Sequence, residues 1–171
     1  MIKINRLFDI IKAENIYFNY TNLLTSTHNK LYGVYFFEDS YGPSILLDKS
    51  LAKPENRRLH KCILAEELGH HFTVPRTNIF KLYGSCSIEC LDKIQQAQDE
   101  RKALKWASDI LIPNVELSRA VSDGCQSVYV LAEWFDVTEW FVFRKLGILE
   151  TKYRDIGSRI KSRDYSRIKN L

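Results

Sequence analysis

The first apolar side chains of the chain recur every three or four residues, at Ile4, Leu7, Phe8 and Ile11. An α-helix has about 3.6 residues per turn, so this spacing places the four side chains on one helix face. The pattern therefore predicts a short N-terminal helix that ends near Asn15.

Two apolar, aromatic-rich runs follow, at residues 31–37 and 44–47. The six residues between them, Glu-Asp-Ser-Tyr-Gly-Pro, favour turns. Short runs bounded by turn residues are typical of β-strands. We therefore predict two short strands that form an antiparallel hairpin, and only helices beyond residue 50.

Two long helices are predicted in the middle of the chain. Pro54 and Glu55 suit the first turn of a helix that ends near Phe72, because the missing N–H costs nothing there and a negative charge meets the helix dipole. A second helix is predicted over residues 91–111. Its buried stripe consists of Ala103, Leu104, Ala107, Ile110 and Leu111.

Two more helices are predicted, at residues 117–135 and 138–146, the second with Thr138 as its N-cap. This pair is also similar to a helix-turn-helix. Its second helix presents Glu139 and Trp140, however, instead of the Arg, Asn, Gln or Ser that read base edges. We therefore expect a packed helix pair or a surface that grips a protein partner, without direct nucleic-acid binding.

Together these elements predict an α+β fold, mostly helical, with a small N-terminal antiparallel β-sheet. The chain has 171 residues, of which 45% are apolar and 27% charged, the profile of one compact soluble domain. From Thr151 onward, seven Lys and Arg accompany two Asp, which leaves a charge of −1 for the preceding residues out of the total of +4. We assign residues 1–150 to the domain and residues 151–171 to a basic, flexible tail.

The shortness of the apolar stretches also predicts where in the cell the protein is found. No run approaches the roughly 20 apolar residues that a membrane span needs, and the chain has no uninterrupted apolar stretch before Asp9. We therefore expect a monomeric protein of the cytoplasm with reduced cysteines. Cys86 and Cys90 are spaced too loosely for a zinc knuckle, and we expect them to act as small apolar side chains.

The first long helix contains Glu-Glu-Leu-Gly-His-His at residues 66–71. On a helical period, Glu66, Glu67 and His70 share one side with apolar residues. Glu100 precedes the apolar stripe of the second long helix by one turn and is in line with it. Carboxylates are seldom buried unless they are paired or bind a metal, so acids facing the core from two helices predict a shared site. The alternative is an exposed charged face beside a histidine pair.

A zinc hydrolase would account for this arrangement chemically. In the motif H-E-x-x-H, two ligands lie four residues apart on a helix, the glutamate takes a proton from a water at the metal, and a third ligand comes from elsewhere. Here the same frame contains Glu66, Glu67 and His70, so a glutamate replaces the first histidine. The frame that starts one residue later has Leu68 at the position of the base, and leucine cannot accept a proton.

Three segments resemble the ImmA/IrrE family of metallopeptidases. Residues 64–70, Leu-Ala-Glu-Glu-Leu-Gly-His, are similar to the family's L-A-H-E-L-G-H. Residues 100–113 are similar to its E-x-x-A-x-x-F-A-x-x-L-L-x-P, and residues 131–138 to its L-A-x-x-F-x-V-S. The three segments occur in the family's order, and the likeness covers about residues 30–147.

The resemblance implies a zincin-like helical core and an intracellular metallo-endopeptidase, often carried by phages or integrative elements. Such an enzyme acts on a helix-turn-helix repressor and so relieves repression of mobile-element genes. Glu67 would be the general base, and His70 and Glu100 would be metal ligands, with Glu66 at the place of the first histidine. The alternative is a catalytically silent member of the same fold that regulates a protein by binding it.

The glutamate at position 66 changes the expected metal chemistry. Two histidines and one glutamate leave a Zn²⁺ site with a charge of +1, whereas Glu66, His70 and Glu100 would leave zero. We therefore expect one divalent metal that activates water less well, with Zn²⁺ as the first candidate and Mn²⁺ or Fe²⁺ as alternatives that carboxylates favour. His71 and His60 are secondary candidates for the lost ligand.

Overall fold

The computed structural model of the protein describes residues 2–23, 31–74 and 90–150. They form an α+β fold that is mostly helical, and they divide into two compact units, Ile2–Ala107 and Ser108 onward. The elements, in chain order, are α1 (Ile4–Ala13), β1 (Tyr17–Thr21), β2 (Gly33–Glu38), β3 (Gly42–Asp48), α2 (Arg57–Thr73), α3 (Cys90–Leu111), α4 (Asn114–Ser122), α5 (Val128–Phe135) and α6 (Glu139–Glu150). Short 3₁₀ turns, Lys49–Ala52 and Pro54–Asn56, lead into α2.

In the described part of the chain, the strands form one sheet in the order β1-β3-β2. Strands β2 and β3 form the predicted antiparallel hairpin. Strand β1 runs parallel to β3 and pairs Tyr17 with Ser44, so the prediction of an antiparallel sheet is wrong for this strand. The parallel partner lies 27 residues further along the chain, and no local turn or alternation of residue types signals such a distant pairing.

Helix α2 is the central element of the first unit, because it packs against both β2 and α1. Its buried positions include Cys62, Leu64, Ala65 and Leu68. Apolar side chains from the other elements complete this core, among them Leu7, Ile11, Val34, Ile45 and Leu47. Burial of the apolar face fixes the rotation of α2, and therefore fixes which of its polar side chains face β2.

Helices α1 and α3 confirm the sequence predictions, and four of the five residues of the predicted α3 stripe are buried. Ile110 is only half-buried. Helix α2 ends as predicted but begins at Arg57, because Pro54 and Glu55 lie in a separate 3₁₀ turn and not in its first turn. The single helix predicted over residues 117–135 is wrong, because Gly124 adopts a positive φ of 97° that ends α4. The amide of Gly124 donates to Val121 O and that of Cys125 to Ala120 O, the hydrogen bonds of a Schellman cap.

Helix α6 begins as predicted, since the Thr138 hydroxyl accepts a hydrogen bond from the Phe141 amide at 3.2 Å. Within the described ranges, no helix has the length and apolar composition needed to cross a membrane. The predicted tail at residues 151–171 lies outside the described residues, as do Cys86 and the side chain of Cys90.

Candidate active site

Glu67 is a buried carboxyl group that lies against strand β2. The Asp48 amide at the end of β3 donates to the carbonyl of Tyr32, the residue before β2. In an antiparallel pair the hydrogen-bonded positions alternate, so the backbone groups of Gly33 and Tyr35 point away from β3. The Tyr35 amide donates to the Glu67 carboxylate. Gly33 leaves room for it, because a Cβ at residue 33 would lie 2.6 Å from Glu67 Oε1.

Burial is the main cause that raises the pKa of Glu67, to about 8. The positive charge of His70 and the Tyr35 amide oppose this rise, whereas the charges of Glu66 and Glu100 add to it. Glu67 therefore holds its proton over most of the neutral range when no cation is nearby. A carboxyl group with a pKa near 8 can donate or accept a proton at physiological pH, as general acid–base catalysis requires.

His70 and Glu100 bring α2 and α3 together at this site. The distance from His70 Nε2 to Glu100 Oε2 is 3.4 Å, and the two side chains are 14% and 50% exposed. Burial lowers the pKa of His70, but the hydrogen bond to Glu100 and the charges of three glutamates outweigh it, so the pKa is raised. The contact with Glu100 therefore favours the protonated form of the imidazole, in which the pair is charge-assisted.

The three candidate carboxylates differ in burial, although the sequence predicts that all three face inward. Glu67 is buried, Glu66 is half-buried and Glu100 is exposed. The prediction is wrong for Glu100 because α3 presents most of residues 94–102 to solvent and enters the core only from Ala103 onward. The structure nevertheless brings the three glutamates and His70 within electrostatic reach of one another.

Neither secondary candidate histidine joins this group. His60 lies among aromatic rings, with Nε2 3.1 Å from the Tyr20 hydroxyl, and burial lowers its pKa. His71 has both ring nitrogens engaged elsewhere: Nδ1 is 3.3 Å from the Tyr35 hydroxyl and Nε2 is 3.5 Å from Glu14 Oε2. Both rings therefore hold the elements of the first unit together.

The donor atoms fit a metal only in part. Two ligands at about 2.1 Å from Zn²⁺ in tetrahedral geometry are about 3.4 Å apart, which matches the separation of His70 Nε2 and Glu100 Oε2. In residues 2–23, 31–74 and 94–150, however, no group of three or more His, Cys, Asp or Glu side chains could hold a metal ion. Glu66 influences the site by its charge without completing a set of three ligands.

Sequence reasoning missed the residues that shape the site without ionising. Gly33, Tyr35 and Gly69 allow or make the close contacts around Glu67 and His70. A glycine inside a strand or helix is the one available signal, because it often marks a close approach of another group.

Comparison with known proteins does not identify a family for this chain. No protein-family model matches the chain, and no match was found among curated proteins. The resemblance to ImmA/IrrE metallopeptidases therefore rests on the three short segments. Two of them contribute the candidate residues Glu67, His70 and Glu100, which lie close together in the first unit.

Proposed function

We propose that the protein is a metal-dependent endopeptidase of the ImmA/IrrE type, with a zincin-like active-site helix in α2. One observation carries the proposal: the buried carboxyl of Glu67 lies beside a histidine–glutamate pair whose donor atoms are 3.4 Å apart. A proton-transfer group next to two correctly spaced ligand atoms is the core of a metallohydrolase site.

His70 Nε2 and Glu100 Oε2 would hold the metal, with Glu66 as the candidate third ligand. A divalent ion bound there would polarise the substrate carbonyl and make water more acidic. Two carboxylates and one imidazole would neutralise Zn²⁺, so we expect weaker polarisation than in a site with two histidines, and a relative preference for Mn²⁺ or Fe²⁺.

Glu67 would move the proton. A nearby cation stabilises the carboxylate form and lowers its pKa from the value of about 8 in the metal-free protein, so Glu67 becomes able to accept a proton at pH 7. Its carboxylate would take a proton from the attacking water and deliver it to the leaving amine of the cleaved peptide bond. The Tyr35 amide fixes the carboxylate in place during both transfers.

The target and location in this proposal come from the resemblance. A helix-turn-helix repressor in the cytoplasm would be the substrate, a monomer would be the active form, and cleavage would relieve repression of mobile-element genes. The order of the three family-like segments supports this target, and the exposed aromatic residues of α5 and α6, Tyr129, Trp134 and Trp140, offer contact area for a protein.

A specific observation favours a second candidate. Because no three ligand-type side chains converge within the described residues, the same fold would also serve as a catalytically silent protein that binds and regulates its target. In that case the charged pair and the protonated Glu67 would only stabilise the scaffold.

Metal affinity and cleavage separate the two candidates. Zn²⁺ and Mn²⁺ binding would be measured by calorimetry on chelator-treated wild type, Glu67→Gln, Glu100→Gln and Glu14→Gln. We expect Glu100→Gln to lose about 100-fold in affinity or more, and Glu14→Gln, whose carboxylate is 45% exposed and paired with His71, to bind like wild type.

Glu67→Gln should retain the metal and abolish cleavage. Cleavage would be followed by mass spectrometry of candidate repressors co-expressed with each variant. Absence of metal binding in the wild type, or relief of repression that persists in Glu67→Gln, would refute the peptidase and leave the silent regulator.

A further inference from the structure

Helices α2 and α3 touch backbone to backbone at Gly69. A Cβ built on this glycine would lie 2.3 Å from the carbonyl oxygen of Ala103, 2.8 Å from its carbonyl carbon and 3.0 Å from its Cα. These are backbone atoms, which cannot rotate away as a side chain can. The two helices therefore approach this closely only because residue 69 has no side chain.

This contact adjoins the candidate site. His70 follows Gly69 in the sequence, and Glu100 lies one turn before Ala103 on α3, so both flank the point where the helices touch. One turn beyond the contact, the rings of Phe72 and Trp106 stack with centroids 4.8 Å apart. A displacement of α3 at Gly69 would therefore alter both the polar pair and the aromatic pair.

The His70–Glu100 pair itself is a weak constraint on the helices. The Glu100 side chain is half exposed, and ion pairs with a solvated partner contribute little because water competes and a long side chain must be ordered. The backbone contact, by contrast, lies in the buried interior, since Gly69 and Ala103 are both buried. Of the two, the backbone contact is the stronger constraint on how closely α2 and α3 approach.

We propose that Gly69 is a positioning residue, which sets the separation of His70 and Glu100 by allowing α2 and α3 to touch. The inference rests on the proposed function as far as the metal is concerned. Its structural part, that the missing side chain holds the pair together, can be tested in the metal-free protein.

The first test compares two helical glycines. A Cβ needs at least 3.0 Å and finds 2.3 Å at residue 69, so Gly69→Ala must separate α2 and α3 at this contact by about 0.7 Å or more. Gly147→Ala in α6 is the matched control, because a Cβ there meets no atom within 4 Å beyond its own stretch of helix. We expect at least a tenfold loss of Zn²⁺ affinity in Gly69→Ala and none in Gly147→Ala, both measured by calorimetry on folded protein.

The second test needs no metal. In chelator-treated protein with ¹⁵N-labelled histidine at pH 7, the ring-nitrogen shifts of His70 report its contact with Glu100. We expect Gly69→Ala to move these shifts to the values of Glu100→Gln, while Gly147→Ala leaves them at the wild-type values. His70 shifts in a folded Gly69→Ala protein that equal those of the wild type would overturn the inference, whether or not any variant binds Zn²⁺.

A third measurement covers the case in which Gly69→Ala does not fold. In a Trp134→Phe/Trp140→Phe background, the remaining Trp106 reports the helix contact through its stack on Phe72. If the backbone contact holds the helices, Glu100→Gln should leave the emission maximum of Trp106 unchanged. A shift in emission on loss of Glu100 would show that the ion pair sets the spacing, which contradicts the role assigned to Gly69.

Discussion

Two neighbouring histidines on α2 have the same kind of partner and different surroundings. His70 pairs with Glu100 at 3.4 Å and His71 with Glu14 at 3.5 Å. The histidine side chains are 14% and 15% exposed, and the glutamates 50% and 45%. By distance and exposure alone, the two pairs are equivalent.

The other neighbours of the two rings distinguish them. Nδ1 of His71 contacts the Tyr35 hydroxyl and its ring contacts Phe72, so neutral aromatic groups surround His71 beside its Glu14 partner. His70 lies beside the buried Glu67, and the charges of Glu67, Glu100 and Glu66 all raise its pKa. One histidine completes a structural network, and the other lies among three carboxyl groups whose ionised forms a bound cation would stabilise.

The difference follows from helix geometry. Successive residues are rotated by about 100°, so the side chain after His70 points to α1 and the Tyr35 hydroxyl, and His70 itself to α3. A pair of adjacent histidines therefore serves two purposes, and only the surrounding carboxylates show which of them belongs to the candidate site.

The largest expected effect is the pH dependence of the free energy of unfolding, which the surroundings of His70 should cause and those of His71 should not. In the folded protein the pKa of Glu67 is about 8, whereas that of an ordinary glutamate is 4.5, so the native state binds the extra proton between these values. Stability should therefore be highest near pH 5 and fall as the pH rises toward 8, by up to about 5 kcal/mol. His70, whose pKa is also raised, contributes a loss in the same direction.

Denaturant unfolding of chelator-treated protein between pH 5 and 8.5 would measure this slope. Glu67→Gln, which cannot ionise, should flatten most of it and be the more stable protein at pH 8. Glu14→Gln, on the His71 side, should keep the slope of the wild type. Equal slopes in the wild type and Glu67→Gln would contradict the buried, protonated carboxyl.

The next largest effect is expected from a variant that places a histidine at position 66, beside the His70 pair. Glu66→His gives the sequence H-E-L-G-H and replaces one negative charge by a neutral donor, which suits Zn²⁺. We expect Zn²⁺ affinity to rise by about 100-fold, equivalent to about 2.7 kcal/mol, and the preference for Mn²⁺ to fall. Glu55→His, which adds a histidine in the exposed turn before α2, is the control and should leave both affinities unchanged.

The smallest effect tests the His71 side. His71→Ala removes the contacts with the Tyr35 hydroxyl, Glu14 and the Phe72 ring, and we expect it to lower the free energy of unfolding by about 2 kcal/mol. Metal affinity should not change. Chemical denaturation and calorimetry on the same sample would measure the two quantities. A loss of metal binding in this variant would show that His71 is a ligand, which contradicts the assignment of that role to His70.

Helical periodicity is enough to predict α1, α3 and most of α2, because each contributes an apolar stripe to a core. It is not enough where a single backbone conformation decides the structure, as at Gly124, or where the partner is distant in sequence, as for β1 and β3. A local pattern reports burial and says little about pairing between segments that are far apart.

The site shows the same division. The spacing of Glu67 and His70 on one helix face, and of Glu100 one turn before the α3 stripe, predicted residues that the structure brings together. The contacts of Glu67 with Gly33 and the Tyr35 amide depend on the register of β2. The contact of Gly69 with Ala103 depends on how α2 and α3 pack against each other. Neither can be derived from residue types and spacing within one segment.

Crystals of the wild type grown with Zn²⁺, with diffraction data collected on both sides of the zinc absorption edge, would test the metal centre most directly. We expect one anomalous peak about 2.1 Å from both His70 Nε2 and Glu100 Oε2, with Glu66 turned toward it as the third ligand. A peak between His71 and Glu14 would contradict the assignment. So would the absence of a peak at His70 in crystals grown with saturating Zn²⁺.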